Sequence, residues 1–323
     1  MDSARDHGGD LDRAIARFGG TAASWIDLST GINRLPWPVP DLPADVWRAL
    51  PKGAATDAAV EAARAAWGVR SGVLVLAGAQ AAIQLLPRLA PPGRAGILAP
   101  TYNEFAAAFA AEGWRVDEVA APDRLAGCEA AVVVNPNNPD GRRLEPSALV
   151  ALAGKVGLLI VDESFADPHP EVSLAGAELP GNLLVLRSFG KFHGLAGVRL
   201  GFVLGAADLL AALARRAGPW PVSGPALALG AAALAEAHWR AETIARLTRD
   251  AARLDAMASG GGWRLVGGTA LFRLYATGDS AAAQARLARA RIWSRVFPYS
   301  ASWLRLGLPG PESEWARLEA ALG

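Results

Sequence analysis

The chain has 323 residues, 52% of them hydrophobic and 20% charged, with a net charge of +1. That apolar content excludes a disordered tail protein and can fill one large domain or two smaller ones, while the near-zero charge argues against nucleic-acid binding, which calls for a basic face. A single cysteine, Cys128, excludes a disulfide framework, and the four histidines (His7, His169, His193, His238) lack metal-ligand spacing.

Up to Pro43 the sequence is rich in Gly, Pro and Trp and reads as an irregular, extended arm. Residues 45–67 carry helical spacing of Ala, Val and Trp. Short apolar runs then alternate with Ala-rich helical stretches, at 73–76, 96–98, 131–134, 158–161, 183–186 and 200–204. These runs are apolar throughout, as expected of strands covered on both faces, and the alternation implies an α/β, mostly parallel sheet. A breaker cluster at 218–225 precedes a predicted long helix over 226–257. Segments at 263–275, 281–290, 292–297 and 303–307, with a closing helix, suggest a small α+β domain. The expected organisation is an arm over 1–44, a large domain over 45–216 and a small C-terminal domain over 217–323. The opening MDSARDHGG has no apolar signal region, and the longest uncharged run, 217–235, is broken by Pro219, Pro221 and Pro225. Neither secretion nor a membrane span is expected, and the sequence reads as cytoplasmic.

In an open α/β sheet, ligands bind beyond the carboxyl ends of strands. After 73–76 comes Ala77-Gly78-Ala79-Gln80, either a tight turn or a place where backbone amides meet a phosphate. After 131–134 comes Asn135-Pro136-Asn137-Asn138-Pro139-Asp140-Gly141, a turn with more asparagines than a turn needs. After 158–161 comes Asp162-Glu163-Ser164-Phe165, two acids that must find partners or cap a helix. After 183–186 comes Arg187-Ser188-Phe189-Gly190-Lys191, and Arg199 follows; Lys191 is one of only three lysines, with Lys52 and Lys155. An anion cradle, an amide, an acid and an amine at one sheet edge match what pyridoxal 5′-phosphate requires.

The segment from Ser188 through Lys191 to Val198-Arg199-Leu200-Gly201 resembles the lysine signature of fold-type I aminotransferases and their class I/II relatives. Asn135 to Gly141 resembles their NPNNPTG loop, with Asp140 in place of Thr, and Asp162 to Phe165 resembles their DEAY or DEAF element. Within the family, four features resemble the threonine-phosphate decarboxylase branch of cobalamin biosynthesis, itself close to histidinol-phosphate aminotransferases. They are His7-Gly8-Gly9, the stretch from Asp27 to Asn33, Phe165 in place of Tyr, and Trp303 to Pro309.

By that resemblance Lys191 would carry the cofactor, Asp162 would face its ring nitrogen, and Asn138 its ring oxygen. Tyr102 would stack on the ring, and Ala79, Gln80, Ser188 and Arg199 would hold its phosphate. Arg305 would bind the substrate carboxylate, and His7, Asn33 and Arg295 the substrate phosphate. The implied reaction is decarboxylation of O-phospho-L-threonine to (R)-1-aminopropan-2-yl phosphate. The alternatives are an O-phosphoserine decarboxylase, a histidinol-phosphate-type aminotransferase, or a non-catalytic relative. The resemblance also implies a homodimer, and the helical spacing of Trp47, Trp67 and Trp239 reads as core or dimer interface rather than substrate site. Two departures stand out. Leu50-Pro51 replaces the Tyr-Pro pair that reaches a neighbouring subunit's cofactor phosphate. Phe165 removes a hydroxyl donor to the ring oxygen, which is expected to raise the pKa of the lysine–cofactor linkage.

Overall fold

The computed structural model describes residues 7–323; residues 1–6, part of the opening stretch considered for a signal segment, lie outside it. The described chain forms two compact units. One comprises the chain up to Pro36, Pro139–Gly141 and Glu242–Gly323; the other comprises Trp37–Asn138 and Arg142–Ala241.

The smaller unit opens with α1 (Leu11–Phe18), where the sequence suggests only an irregular arm. Leu11, Ala14, Ile15 and Phe18 recur at helical spacing and pack with Trp25, Ala288 and Trp293, and Asp10 caps the helix by accepting from the Arg13 amide at 3.1 Å. That packing outweighs the glycines on either side. The short strand β1 (Ile26–Asp27) follows.

The larger unit begins with α2 (Ala44–Arg48) and α3 (Gly53–Trp67). The single helix predicted over 45–67 is interrupted because Pro51 has no amide to donate and Ala49 is already extended. Strands and helices then alternate: β2 (Gly72–Leu76), α4 (Ala79–Leu85), β3 (Arg94–Leu98), α5 (Glu104–Ala111), β4 (Arg115–Val119), β5 (Ala130–Val134), α6 (Pro146–Ala153), β6 (Leu158–Asp162), β7 (Leu183–Ser188), α7 (Phe189–Phe192), β8 (Gly201–Gly205), α8 (Ala207–Ala217) and α9 (Gly224–Ala235). The seven strands form one sheet in the order β2-β8-β7-β6-β5-β3-β4. β4, β3, β5, β6 and β7 run parallel, and β8 is antiparallel to both neighbours. Alternate residues feed two cores: Val133, Val161 and Val185 on one face, Val132, Ile160 and Leu184 on the other. This two-sided burial is why the central runs are apolar throughout. The register pairs Val134 with Asp162 and Asp162 with Leu186, so the carboxyl ends of β5, β6 and β7 lie side by side.

Residues 226–257 also form two helices rather than one. The chain turns at Glu236, between α9 and α10 (Ala237–Gly260). The smaller unit then resumes with β9 (Arg264–Thr269), β10 (Phe272–Ala276), α11 (Ser280–Arg289), β11 (Ile292–Trp293), β12 (Arg295–Phe297), β13 (Ser300–Gly307) and α12 (Glu312–Leu322). Its antiparallel sheet has the order β12-β13-β10-β9, and β11 pairs in parallel with β1. A mostly parallel α/β sheet and a smaller α+β unit are the classes the sequence implies. Among the described residues no helix is long and apolar enough to cross a membrane, and no cluster of three or more His, Cys, Asp or Glu could hold a metal ion.

Candidate active site

The residues that resemblance assigns to a cofactor come from several separate segments. Ala79 and Gln80 start α4, Asp162 ends β6, Ser188 ends β7, and Asn138 lies in the loop after β5. These five, with Tyr102, Lys191 and Arg199, all line one cavity of the larger unit, together with Gly78, Ser164 and Phe165. The cavity measures about 140 Å³, room for about five water molecules. A close-packed interior does not leave such a volume as a packing flaw.

Asp162 is buried and its Oδ1 accepts both the Ser164 amide, at 2.9 Å, and the Ser164 hydroxyl, at 2.5 Å. Burial pushes the carboxyl pKa up, and the two Ser164 donors, Lys191 and Arg187 pull it back toward the ionised form. Behind the site, Arg187 donates to Glu163 at 2.9 Å and to Asp167 at 2.6 Å, all three side chains being fully buried. The Arg187 guanidinium lies 4.5 Å from the Trp67 ring centre, and the Trp67 indole N–H donates to Asp167 at 2.9 Å. The partners that two acids after a buried strand require are therefore supplied separately: Ser164 bonds Asp162, and Arg187 from the next strand bonds Glu163 together with Asp167. Lys191 sits in α7 with Nζ 5.9 Å from the centre of the Phe165 ring. His193 is stacked between Phe189 and Trp239, and burial pushes its pKa down to about 4, so it is a neutral spacer in the loop after Lys191.

Gly78 and Arg199 meet at the start of α4. Gly78 has φ +80°, and a Cβ there would lie 2.9 Å from Arg199 Nη2. Position 78 must stay bare for that guanidinium to reach the cavity. Tyr102 donates its hydroxyl to Gln80 Oε1 at 3.1 Å, while Gln80 Nε2 donates to Glu104 at 3.0 Å; the acceptor-only carboxylate fixes which way the amide points. The asparagine loop divides its labour. Asn135 binds the Leu144 backbone, Asn137 binds Thr101 and the Pro100 carbonyl, and Asn138 faces the cavity. The turn reading thus accounts for Asn135 and Asn137, while Asn138 lines the cavity.

In the smaller unit, His7 and Arg295 line a second, smaller cavity with Arg13, Arg17, Ser29 and Ser294. Arg295 on β12 lies directly opposite Arg305 on β13. Arg305 is buried, donates to the Ser29 carbonyl at 2.7 Å and stacks 5.1 Å from the Phe272 ring centre. Burial, and then the neighbouring Arg295, push its pKa down to about 10. The register thus sets two positive charges on facing strand positions, and Asp10 lines the same cavity as Arg295. Asn33 is not part of that cavity: its Oδ1 accepts from the Leu35 amide at 3.1 Å and from Arg246 at 2.9 Å. Sequence reasoning passed over Arg13, Arg17, Ser294 and the hydroxyl of Ser164. The four-residue spacing of Arg13 and Arg17 was a usable helical signal, whereas nothing local marks Ser294.

The chain is 46% identical to a threonine-phosphate decarboxylase from Sinorhizobium sp over 98% of its own length and 97% of the relative's. It is 44% identical to a threonine-phosphate decarboxylase from Pseudomonas aeruginosa, again over 98% and 97%. Its fold is similar to that of the histidinol-phosphate aminotransferase from Sinorhizobium meliloti in complex with pyridoxal-5′-phosphate, with a TM-score of 0.80, 20% identity, and 99% and 94% of the two chains covered. The family model for aminotransferase class I and II matches residues 25–322, and the chain belongs to that family.

Proposed function

We propose that the chain is a cytoplasmic, pyridoxal 5′-phosphate-dependent enzyme that decarboxylates O-phospho-L-threonine to (R)-1-aminopropan-2-yl phosphate and CO₂ in cobalamin biosynthesis. The observation that carries the reading is full-length likeness, at 46% identity, to a threonine-phosphate decarboxylase. The cavity's donor set fits the cofactor: one amine, one buried carboxylate, the side-chain amides of Gln80 and Asn138, and a cradle that a Cβ at position 78 would fill. Lys191 would hold its carbonyl carbon, Asp162 its ring nitrogen, Asn138 its ring oxygen and Tyr102 its face. Ala79, Gln80, Ser188 and Arg199 would hold its phosphate.

Bound pyridoxal phosphate supplies the electron sink for the pair released when the substrate's Cα–carboxylate bond breaks. Asp162, when ionised, would hold the proton on the ring nitrogen. Arg305 would orient the substrate carboxylate, its planar fork matching two oxygens. His7, Arg295 and Asn33 would engage or orient the substrate phosphate, and that remote binding energy can select which bond at Cα is aligned for cleavage. Lys191 Nζ would then return a proton to Cα. O-phospho-L-serine differs by one methyl, worth only about 1–3 kcal/mol of discrimination.

The same reading includes a homodimer. Val39, Trp47, Leu50 and Trp220 of the larger unit are exposed apolar side chains, which supports an association surface; a monomer in sedimentation velocity would refute it.

The test of function is single-substrate turnover with pyridoxal phosphate and no oxo acid. Catalytic CO₂ release from O-phospho-L-threonine, abolished by Lys191→Ala, is expected. Amino transfer to 2-oxoglutarate without CO₂ release would instead place the chain with the aminotransferases.

A further inference from the structure

Ser164 stands third in Asp162-Glu163-Ser164-Phe165, where the related DEAY and DEAF elements carry alanine. Its amide bond to Asp162 Oδ1, at 2.9 Å, is one that any residue in this turn could make; its hydroxyl adds a second donor to the same oxygen at 2.5 Å. Ser164 is buried and lines the same cavity as Asp162 and Lys191. The turn itself is anchored from outside. Glu163 accepts from the Leu174 amide at 2.6 Å, from Ser173 Oγ at 2.5 Å and from Arg187 at 2.9 Å, while Asp167 accepts from Arg187 and Trp67. Removing the Ser164 hydroxyl therefore takes a donor from Asp162 without releasing the turn that carries it.

We propose that Ser164 is a positioning residue for the reaction: its hydroxyl holds Asp162 in the ionised form and engages Oδ1, so that Oδ2 is presented to the cofactor's ring nitrogen. The inference rests on the pyridoxal phosphate reading. Its physical basis is a competition. A carboxyl withdrawn from water drifts toward its neutral form, and hydrogen bonds donated to the anion oppose that drift. Both Ser164 donors act in this opposing sense, as do the charges of Lys191 and Arg187. A neutral Asp162 could not keep the ring nitrogen protonated, so the hydroxyl matters for cofactor affinity as well as for turnover.

The experiment titrates apoprotein with pyridoxal phosphate, followed by tryptophan fluorescence, over about pH 5 to 9. The proteins compared are the parent, Ser164→Ala and Ser164→Thr. Affinity falls on the acid side as Asp162 takes up a proton. Losing one donor to the anion raises that pKa, so in Ser164→Ala the fall begins at a pH about one unit higher, and on that acid limb affinity is about tenfold below the parent's. Ser164→Thr restores both. A merely structural role would weaken binding equally at every pH. An unmoved acid limb in Ser164→Ala, a pH-independent loss, or an acid limb that Ser164→Thr does not restore would overturn the proposal while the parent still binds the cofactor. A parent that takes up no pyridoxal phosphate would overturn the functional reading as well.

Discussion

Replacing Arg187 with methionine tests the ionic cluster behind the site. Arg187 carries the positive charge of a group whose other members, Glu163 and Asp167, are equally buried. Its guanidinium also donates to Ser173 Oγ at 3.1 Å and stacks on Trp67. Methionine preserves much of the volume but leaves two carboxylates without their cation. Breaking a buried pair in this way costs about 3–5 kcal/mol. In a unit of roughly 200 residues each kcal/mol moves the midpoint by about 2–4 °C, so apoprotein Tm should fall by roughly 6–20 °C. The loss has a characteristic pH dependence. Burial already places the Glu163 pKa above its ordinary value, and removing Arg187 raises it further. A carboxyl with a raised folded-state pKa favours the native state when protonated, and that contribution vanishes as pH climbs through the folded-state value. The deficit of the variant relative to the parent should therefore narrow as pH falls from about 8 toward about 5. Adding Glu163→Gln and Asp167→Asn should recover part of the loss, because no uncompensated charge then remains. Urea and thermal denaturation of apoprotein across that range is the assay. A loss below about 1 kcal/mol, or a deficit that does not narrow on acidification, would refute the reasoning.

Gly78→Ala should leave the protein folded but raise the pyridoxal phosphate dissociation constant about tenfold or more, since the added methyl meets the mobile end of Arg199 and sits at positive φ; equilibrium dialysis measures it, and unchanged affinity would remove Arg199 from the phosphate cradle. Arg295→Ala should raise KM for O-phospho-L-threonine roughly 10- to 100-fold and spare inhibition by unphosphorylated L-threonine, whereas Arg305→Ala should weaken both; equal effects from the two variants would undo the division between phosphate and carboxylate. Phe165→Tyr, whose ring faces Lys191, should shift the holoenzyme's visible-absorbance titration to lower pH, and a midpoint no lower than the parent's would count against a missing hydroxyl donor.

The central strands were legible because β5, β6 and β7 are covered on both faces and so are written in unbroken apolar residues. β4 was not, because Arg115-Val-Asp-Glu-Val lies at the sheet edge, where charges guard an exposed ladder and hide the strand. Helix interruptions at Ala49 and Glu236 escaped because apolar spacing continues across them, and α1 escaped because glycines on both sides dominated the reading. The cofactor-side cavity was legible for a related reason: strand ends are short, and each carries a residue type that a buried turn does not need. The substrate side was less so. Arg295 and Arg305 are ten positions apart in sequence, and only the β12–β13 register places them opposite one another. Asn33 lies in a stretch the sequence singles out, and only the fold shows that its Oδ1 accepts from Arg246.

The pairing of β1 with β11 has a consequence for the order of events during synthesis. Ile26 pairs with Ile292, and the Gly307 amide donates to the Leu28 carbonyl at 2.7 Å, so the first strand emerges from the ribosome long before its partners exist. At ordinary elongation rates that gap amounts to roughly tens of seconds, ample time for the larger unit, complete by Ala241, to fold first. The apolar stripe of α1 must wait through that interval with Trp293 and Ala288 still unmade. The largest sequence separation between paired strands, Ile26 to Ile292, falls in the smaller unit, so in refolding its β1–β11 pair should be among the last structure to gain hydrogen-exchange protection.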